Sequence, residues 1–62
     1  MPLIHIELFE GRSHDQKKAL AAAITRETVR VLGCSDTSVD ILFTDMKKQD
    51  WATAGVLWSE QK

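Results

Sequence analysis

One cysteine, one proline, three glycines and no tyrosine leave this chain with few of the devices that usually hold small proteins together. The single thiol, Cys34, cannot close an intrachain disulfide. His5 and His14 stand apart from each other and from Cys34, so no cluster has the ligand spacing of a structural zinc site, and no metal is expected. A phosphate-cradling glycine loop, a nucleophile elbow, a zincin helix and a dinucleotide fingerprint are all missing. Neither sign of charge dominates: eight Lys and Arg face nine Asp and Glu, a net charge of −1 that argues against nucleic acid as a partner. No apolar run approaches the roughly 20 residues of a membrane span. The start of the chain also lacks the basic-then-apolar pattern of a secretory signal. A cytoplasmic protein with a free thiol is the simplest expectation.

What remains is hydrophobic content, at 44% of 62 residues. That is more than a disordered segment carries, and the length allows one domain over residues 1–62. Chains of this size bury only about 60% of the surface that their unfolded form exposes, so a lone subunit is marginal. With disulfides and zinc excluded, oligomerisation is the stabilising device left. A homo-oligomer is therefore expected from the residues themselves.

The hydropathy pattern gives the elements. From Pro2 to Phe9, Ile4, Ile6 and Leu8 alternate with Leu3, His5 and Glu7, the period of a strand with one strongly apolar face. Glu10-Gly11-Arg12 breaks the run. Ser13 and Gln16 have the spacing of a capping box, and the alanine-rich stretch to Leu32 continues as a helix. Leu20, Ala23, Ile24, Thr28 and Val31 fall near one helix face. Gly33 suits the left-handed residue that ends a helix, and Ser35–Ser38 reads as a turn. A second strand covers Val39–Met46, with Val39, Ile41 and Phe43 on one face and Asp40, Leu42 and Thr44 on the other. Strand, helix, strand with short links is a βαβ unit, with parallel strands and a right-handed crossover. Trp51–Trp58, around Gly55, is expected to form a short hairpin, and the polar tail Ser59–Lys62 to fray. The fold class is thus α/β: a single βαβ unit with a short C-terminal hairpin, its parallel two-stranded sheet extended by oligomerisation. One helix covers one sheet face; the other, carrying Leu3, Phe9 and Leu42, needs a partner.

The only proline sits at position 2, at the head of a strand. Proline is small enough for the initiator methionine normally to be cleaved, which leaves a secondary amine at the chain end. An α-amino group has an ordinary pKa of about 7.7–8.0, so about a tenth is free base at pH 7. Apolar surroundings or nearby cations raise that fraction, and a general base works best with a pKa close to the operating pH. Many chains nonetheless begin Met-Pro with no chemistry there.

The wider pattern carries more weight. P-x-I-x-I-x-x-x-E-G-R-S from Pro2 to Ser13, D-x-Q-K at Asp15–Lys18, T-S-V at Thr37–Val39 and T-D-M-x-K at Thr44–Lys48 together resemble 4-oxalocrotonate tautomerase over nearly the whole chain. The resemblance implies a homohexamer, a trimer of dimers, whose active sites draw on more than one subunit. It also implies cofactor-free ketonisation of a small enol or dienol acid. Pro2 is then the base and proton carrier. Arg12 is the arginine that binds a substrate carboxylate, a role suited to its place before a helix N-terminus.

Two positions depart from the family pattern. Where the family carries a second arginine after T-S-V, this chain has Asp40, which repels a carboxylate instead of binding it. Where the family has a phenylalanine wall, this chain has Trp51; Phe9 matches a second apolar wall position or serves as simple core. Asp40 admits two readings: a water-activating carboxylate beside Pro2, giving a hydratase or decarboxylase, or an ion-pair partner without a chemical role. A non-catalytic relative that keeps the fold is a further alternative. Among the rest, His5 and Trp58 are expected at subunit interfaces, His14 and the Lys17-Lys18 pair in solvent, and Cys34 as an inert thiol.

Overall fold

Alternation of apolar and polar residues builds two strands, β1 (Leu3–Phe9) and β2 (Asp40–Met46), on either side of one helix, α1 (His14–Leu32). The computed structural model describes residues 1–61. β1 and β2 pair in parallel, in a register that sets Leu3 beside Asp40, Ile6 beside Phe43 and Phe9 beside Met46. A two-residue hairpin follows, β3 (Ala52–Thr53) against β4 (Val56–Leu57), antiparallel. Short 3-10 turns at Asp36–Ser38, Lys48–Asp50 and Trp58–Glu60 complete the chain.

Each boundary has a local cause. The Ser13 hydroxyl accepts the Gln16 backbone N–H at 3.1 Å, while the Gln16 side-chain oxygen accepts the Ser13 N–H at 2.9 Å. Two otherwise orphaned donors of the first helical turn are satisfied in this way. At the other end Gly33 adopts φ 71°, and its N–H closes on the Val29 carbonyl at 2.9 Å. A left-handed glycine ends helices because it has no Cβ to clash. Strand β2 starts one residue later than the hydropathy pattern suggests, since the Val39 N–H is committed to the Asp36 carbonyl of the preceding turn. The hairpin turns on Ala54 (φ 55°) and Gly55 (φ 81°). Positive φ at both central residues matches the twist of the flanking strands. Of the tail expected to fray, Ser59 and Glu60 belong to the last 3-10 turn, and Lys62 lies outside the described residues.

The helix covers the face of the sheet that carries Ile4, Ile6, Leu8, Ile41 and Phe43, all half-buried. Lys17 on α1 reaches Asp45 on β2 at 2.8 Å across this layer, so it is not the solvated side chain expected for the Lys17-Lys18 pair. The opposite face is open: Leu3 is 64% exposed and Leu42 53%. No side chain among the described residues is fully buried. The radius of gyration is 14.8 Å, against about 10–11 Å for a compact chain of this length. A single copy is a thin slab of 43 × 24 × 14 Å with half a core.

Candidate active site

The parallel register sorts the candidate residues to two ends of the slab. Pro2 precedes β1, and its carbonyl accepts the backbone N–H of Asp40 at 3.0 Å, which extends the ladder by one bond. Pro2 is half-buried in a shallow, largely apolar groove with Ile4, Thr28, Val31, Leu32 and Glu27. Met1 projects from the strand end, 93% exposed. Hydrolysis of the Met1–Pro2 peptide bond would thus free a pyrrolidine nitrogen on the rim of an apolar groove. Asp40 shares this end but lies on the other sheet face: it pairs with Leu3, whereas the Pro2 groove is on the helix side. Its carboxylate has no hydrogen-bond or ion-pair partner among the described residues. Glu27 is held by Arg30 one turn along, at 2.8 Å from the guanidinium Nε.

At the far end stand Arg12, Phe9 and Trp51. Gly11, at φ 112°, turns the chain out of β1, and Arg12 follows, exposed, just before the Ser13 cap. Arg12 borders a small depression with Leu8, Gln16, Lys17 and Leu20. The Phe9 ring packs on Trp51 at 4.5 Å between centroids and on Trp58 at 5.1 Å, both tilted. Tilted contacts at these distances suit aromatic quadrupoles. The Trp58 N–H donates to the Trp51 carbonyl at 2.8 Å, and its indole Nε1–H to the Thr53 hydroxyl at 2.8 Å. The hairpin is thereby clamped beside the end of β1, and Trp51 and Phe9 form one apolar surface near Arg12's end of the sheet. The Trp58 ring thus packs on Phe9 within its own chain and is still 37% exposed in a single copy.

Two groups of site residues are therefore assembled, and they do not meet. Seven strand residues separate Pro2 from the Glu10–Gly11 turn, which at about 3.3 Å each puts the two ends roughly 23 Å apart. The register joins Pro2 to Asp40, and the aromatic cluster joins Phe9 to Trp51. Nothing within one chain brings Arg12 to Pro2. One contact had no signal in the residue pattern beyond a shared open face: His5 Nε2 and Thr44 Oγ1 lie 2.6 Å apart, a bond between the strands that ties the middle of the sheet. Among the described residues no group of three or more His, Cys, Asp or Glu side chains could hold a metal ion. Among the described residues no helix is long and apolar enough to cross a membrane.

A half-covered βαβ slab headed by a half-buried proline, with a capped helix after a glycine-arginine turn, is the arrangement that the chain shares with a known family of small proteins. The chain belongs to the tautomerase enzyme family, whose model matches residues 2–61. It is 39% identical over 56 residues to the 2-hydroxymuconate tautomerase of Comamonas testosteroni, covering 90% of this chain and 89% of that one. The fold matches that of a solved 4-oxalocrotonate tautomerase homologue with a TM-score of 0.90 at 29% identity, over 100% of this chain and 98% of the other. It also matches a chain of the heterohexameric 4-oxalocrotonate tautomerase of Chloroflexus aurantiacus, with a TM-score of 0.93 at 26% identity over the whole of both chains. The βαβ fold with its C-terminal hairpin is thus the 4-oxalocrotonate tautomerase fold, and the protein is an isomerase by family.

Proposed function

We propose that this chain is a cofactor-free tautomerase of small enol-form 2-oxo acids, with Pro2 as the proton carrier. The observation that carries the reading is the position of Pro2, the only proline, half-buried at a strand head beside an apolar groove. Once Met1 is removed, the pyrrolidine nitrogen has a lone pair. It takes the proton from the enol hydroxyl, and the oxygen electron pair closes to a carbonyl. The π pair of the carbon–carbon double bond then takes a proton from the prolinium at carbon. Substrate and product are isomers, and Pro2 ends as it began. Apolar surroundings favour the uncharged amine and so keep a larger share of it in the basic form.

Arg12 anchors the acid group. A guanidinium presents two parallel donors to a carboxylate, and the free amides at the start of α1 add to the attraction. Phe9 and Trp51 supply the apolar wall that orients the rest of the substrate. With Arg12 past the far end of a strand about 23 Å long that begins at Pro2, the complete site takes Pro2 from one copy and Arg12 from another. The open sheet face, with Leu3 and Leu42 exposed, supports assembly by burial against further copies. A closed hexamer, the type of assembly named for the Chloroflexus relative, satisfies both needs in this reading.

Turnover of an enol acid such as phenylenolpyruvate by the wild type and Pro2→Ala tests the proposal. The alanine variant still has an amine at the chain end, so the expected loss is partial, smaller than the about 10²–10⁴-fold that a general base contributes in full. Equal rates in the two proteins would exclude Pro2 as the base. The lyase reading draws on the closeness of Asp40 to Pro2. It requires hydration or decarboxylation that disappears in Asp40→Asn while ketonisation persists.

A further inference from the structure

Arg12 is exposed and has no side-chain partner among the described residues, yet β2 holds the turn that carries it at both ends. On the strand side, the Glu10 N–H donates to the Met46 carbonyl at 3.0 Å. On the helix side, Lys17 Nζ donates to Asp45 Oδ1 at 2.8 Å. The Lys17 N–H in turn donates to the Ser13 carbonyl at 3.1 Å, and the capping box fastens Ser13 to Gln16. A closed circuit results. It leaves β2 at Met46, runs through Glu10, Gly11, Arg12 and Ser13, and returns through Lys17 to Asp45, the residue before Met46. Gly11, at φ 112°, is its pliant point, since glycine keeps the widest backbone freedom. The helix-side foot has no substitute. His14 contacts Asp15 at 3.7 Å, Arg30 holds Glu27, and the Thr28 hydroxyl donates to the Ile24 carbonyl, all within α1. Among the described residues Lys17–Asp45 is thus the one side-chain hydrogen bond between α1 and the sheet. Apolar contacts also hold the helix down, but they have no direction. The pair is partly sheltered, with Lys17 27% and Asp45 45% exposed, so water screens it less than a pair on the open surface.

From this we infer that Lys17 is the positioning residue of Arg12: its bond to Asp45 fixes the turn, and so the guanidinium, against the end of the sheet. The inference rests on the reading of Arg12 as the carboxylate anchor. Lys17 and Arg12 belong to the same chain, so the device travels with its arginine whichever copy supplies Pro2. Both cations border the depression formed with Leu8, Gln16 and Leu20. Lys17 is committed there to Asp45, and Arg12 is left free to meet an acid group. With the Lys17 foot released, the first turn of α1 pivots at Gly11 and carries Arg12 with it. A turn ordered beforehand loses less freedom when substrate binds. An anchor contact made alike in the ground and transition states appears in KM and not in kcat. Lys17 therefore acts through Arg12 and touches neither the substrate nor the reacting atoms.

The test measures kcat and KM for phenylenolpyruvate in Met1-free wild type, Lys17→Met, Lys17→Arg and Asp45→Ala, each checked for assembly by sedimentation. Methionine keeps the apolar stem beside Leu8 and Leu20 and removes only the ammonium. KM should rise roughly 3- to 10-fold in Lys17→Met, between what an exposed ion pair and a charge-assisted hydrogen bond contribute, with kcat close to wild type. Asp45→Ala cuts the other end of the bond and should raise KM by a similar factor. A lysine that acted only by attracting the anion predicts the reverse, a lower KM once the carboxylate is gone. Lys17→Arg keeps a donor for Asp45 and should recover most of the loss. In an Arg12→Ala background Lys17→Met should leave kcat/KM where Arg12→Ala alone puts it. A KM unmoved by Lys17→Met, a KM lowered by Asp45→Ala, or the full Lys17→Met effect in the Arg12→Ala background overturns the inference alone. So does loss of assembly in Lys17→Met and Asp45→Ala alike, which would make the pair a brace of the whole fold. Wild-type KM and kcat in Arg12→Ala overturn the anchor reading of Arg12, and the inference with it.

Discussion

Pro2 and Arg12 lie at opposite ends of β1, with the seven residues Leu3–Phe9 and a glycine turn between them. A strand is rigid and cannot fold back to join its own ends. In the proposed reading, a site that uses both residues takes them from different copies of the chain. Much of what can be tested follows from that separation.

Subunit mixing is the first consequence. Pro2→Ala and Arg12→Ala should each be poorly active alone. A mixture that is unfolded and refolded together contains sites that take an intact Pro2 from one chain and an intact Arg12 from the other. Turnover by the mixture should exceed that of either variant at the same total concentration. A mixture no faster than the average of the two parents would mean that each site draws both residues from one chain.

Leu42 carries the second expectation. It sits mid-strand on the open sheet face, 53% exposed in a single copy. A lysine there places a charge in the surface that assembly would bury, a position that tolerates none without a partner. Leu42→Lys should shift the assembly toward smaller species in analytical ultracentrifugation. The released subunit, with no fully buried side chain, should lose most of its cooperative thermal transition. A variant that stays assembled and melts like wild type would place the interface elsewhere.

The helix cap allows a test of local structure. Ser13→Ala removes one half of the reciprocal pair with Gln16. A lost cap costs about 0.5–2 kcal/mol, and here the cost recurs in every subunit. A lower melting temperature is expected. An unshifted melting temperature would show that the cap adds nothing once the assembly has formed.

How far the residues themselves reveal this architecture differs from element to element. The strict alternation in Leu3–Leu8 gives β1 and its faces, and the Ser13–Gln16 spacing gives the start of α1, because both are set by nearest neighbours. The parallel pairing follows from the length of the crossover. Lys17 was legible as a type but not in its role, and no local spacing announced the contact between Phe9 and Trp58. The Lys17–Asp45 contact joins residues 28 positions apart, and the Trp58 ring turns inward because Phe9 ends β1 where the hairpin returns. Such contacts are fixed by tertiary geometry, which no local spacing encodes. The division of the candidate residues between the two ends of the slab is tertiary too, and only the family resemblance, which implies sites drawn from more than one subunit, anticipated it. The motif that joins Pro2 and Arg12 in one line of sequence conceals that the strand between them holds them apart.

The central claim, that the Pro2 nitrogen is the base, is tested most directly by one comparison. The chain is prepared with and without Met1, each form verified by intact mass, and kcat/KM for phenylenolpyruvate is measured on both. In the Met1-bearing form the Pro2 nitrogen is an amide with no basic lone pair. The Met1-free form should be faster by about 10²–10⁴-fold, the usual contribution of a general base. Equal rates in two preparations of the same assembly state would contradict the claim.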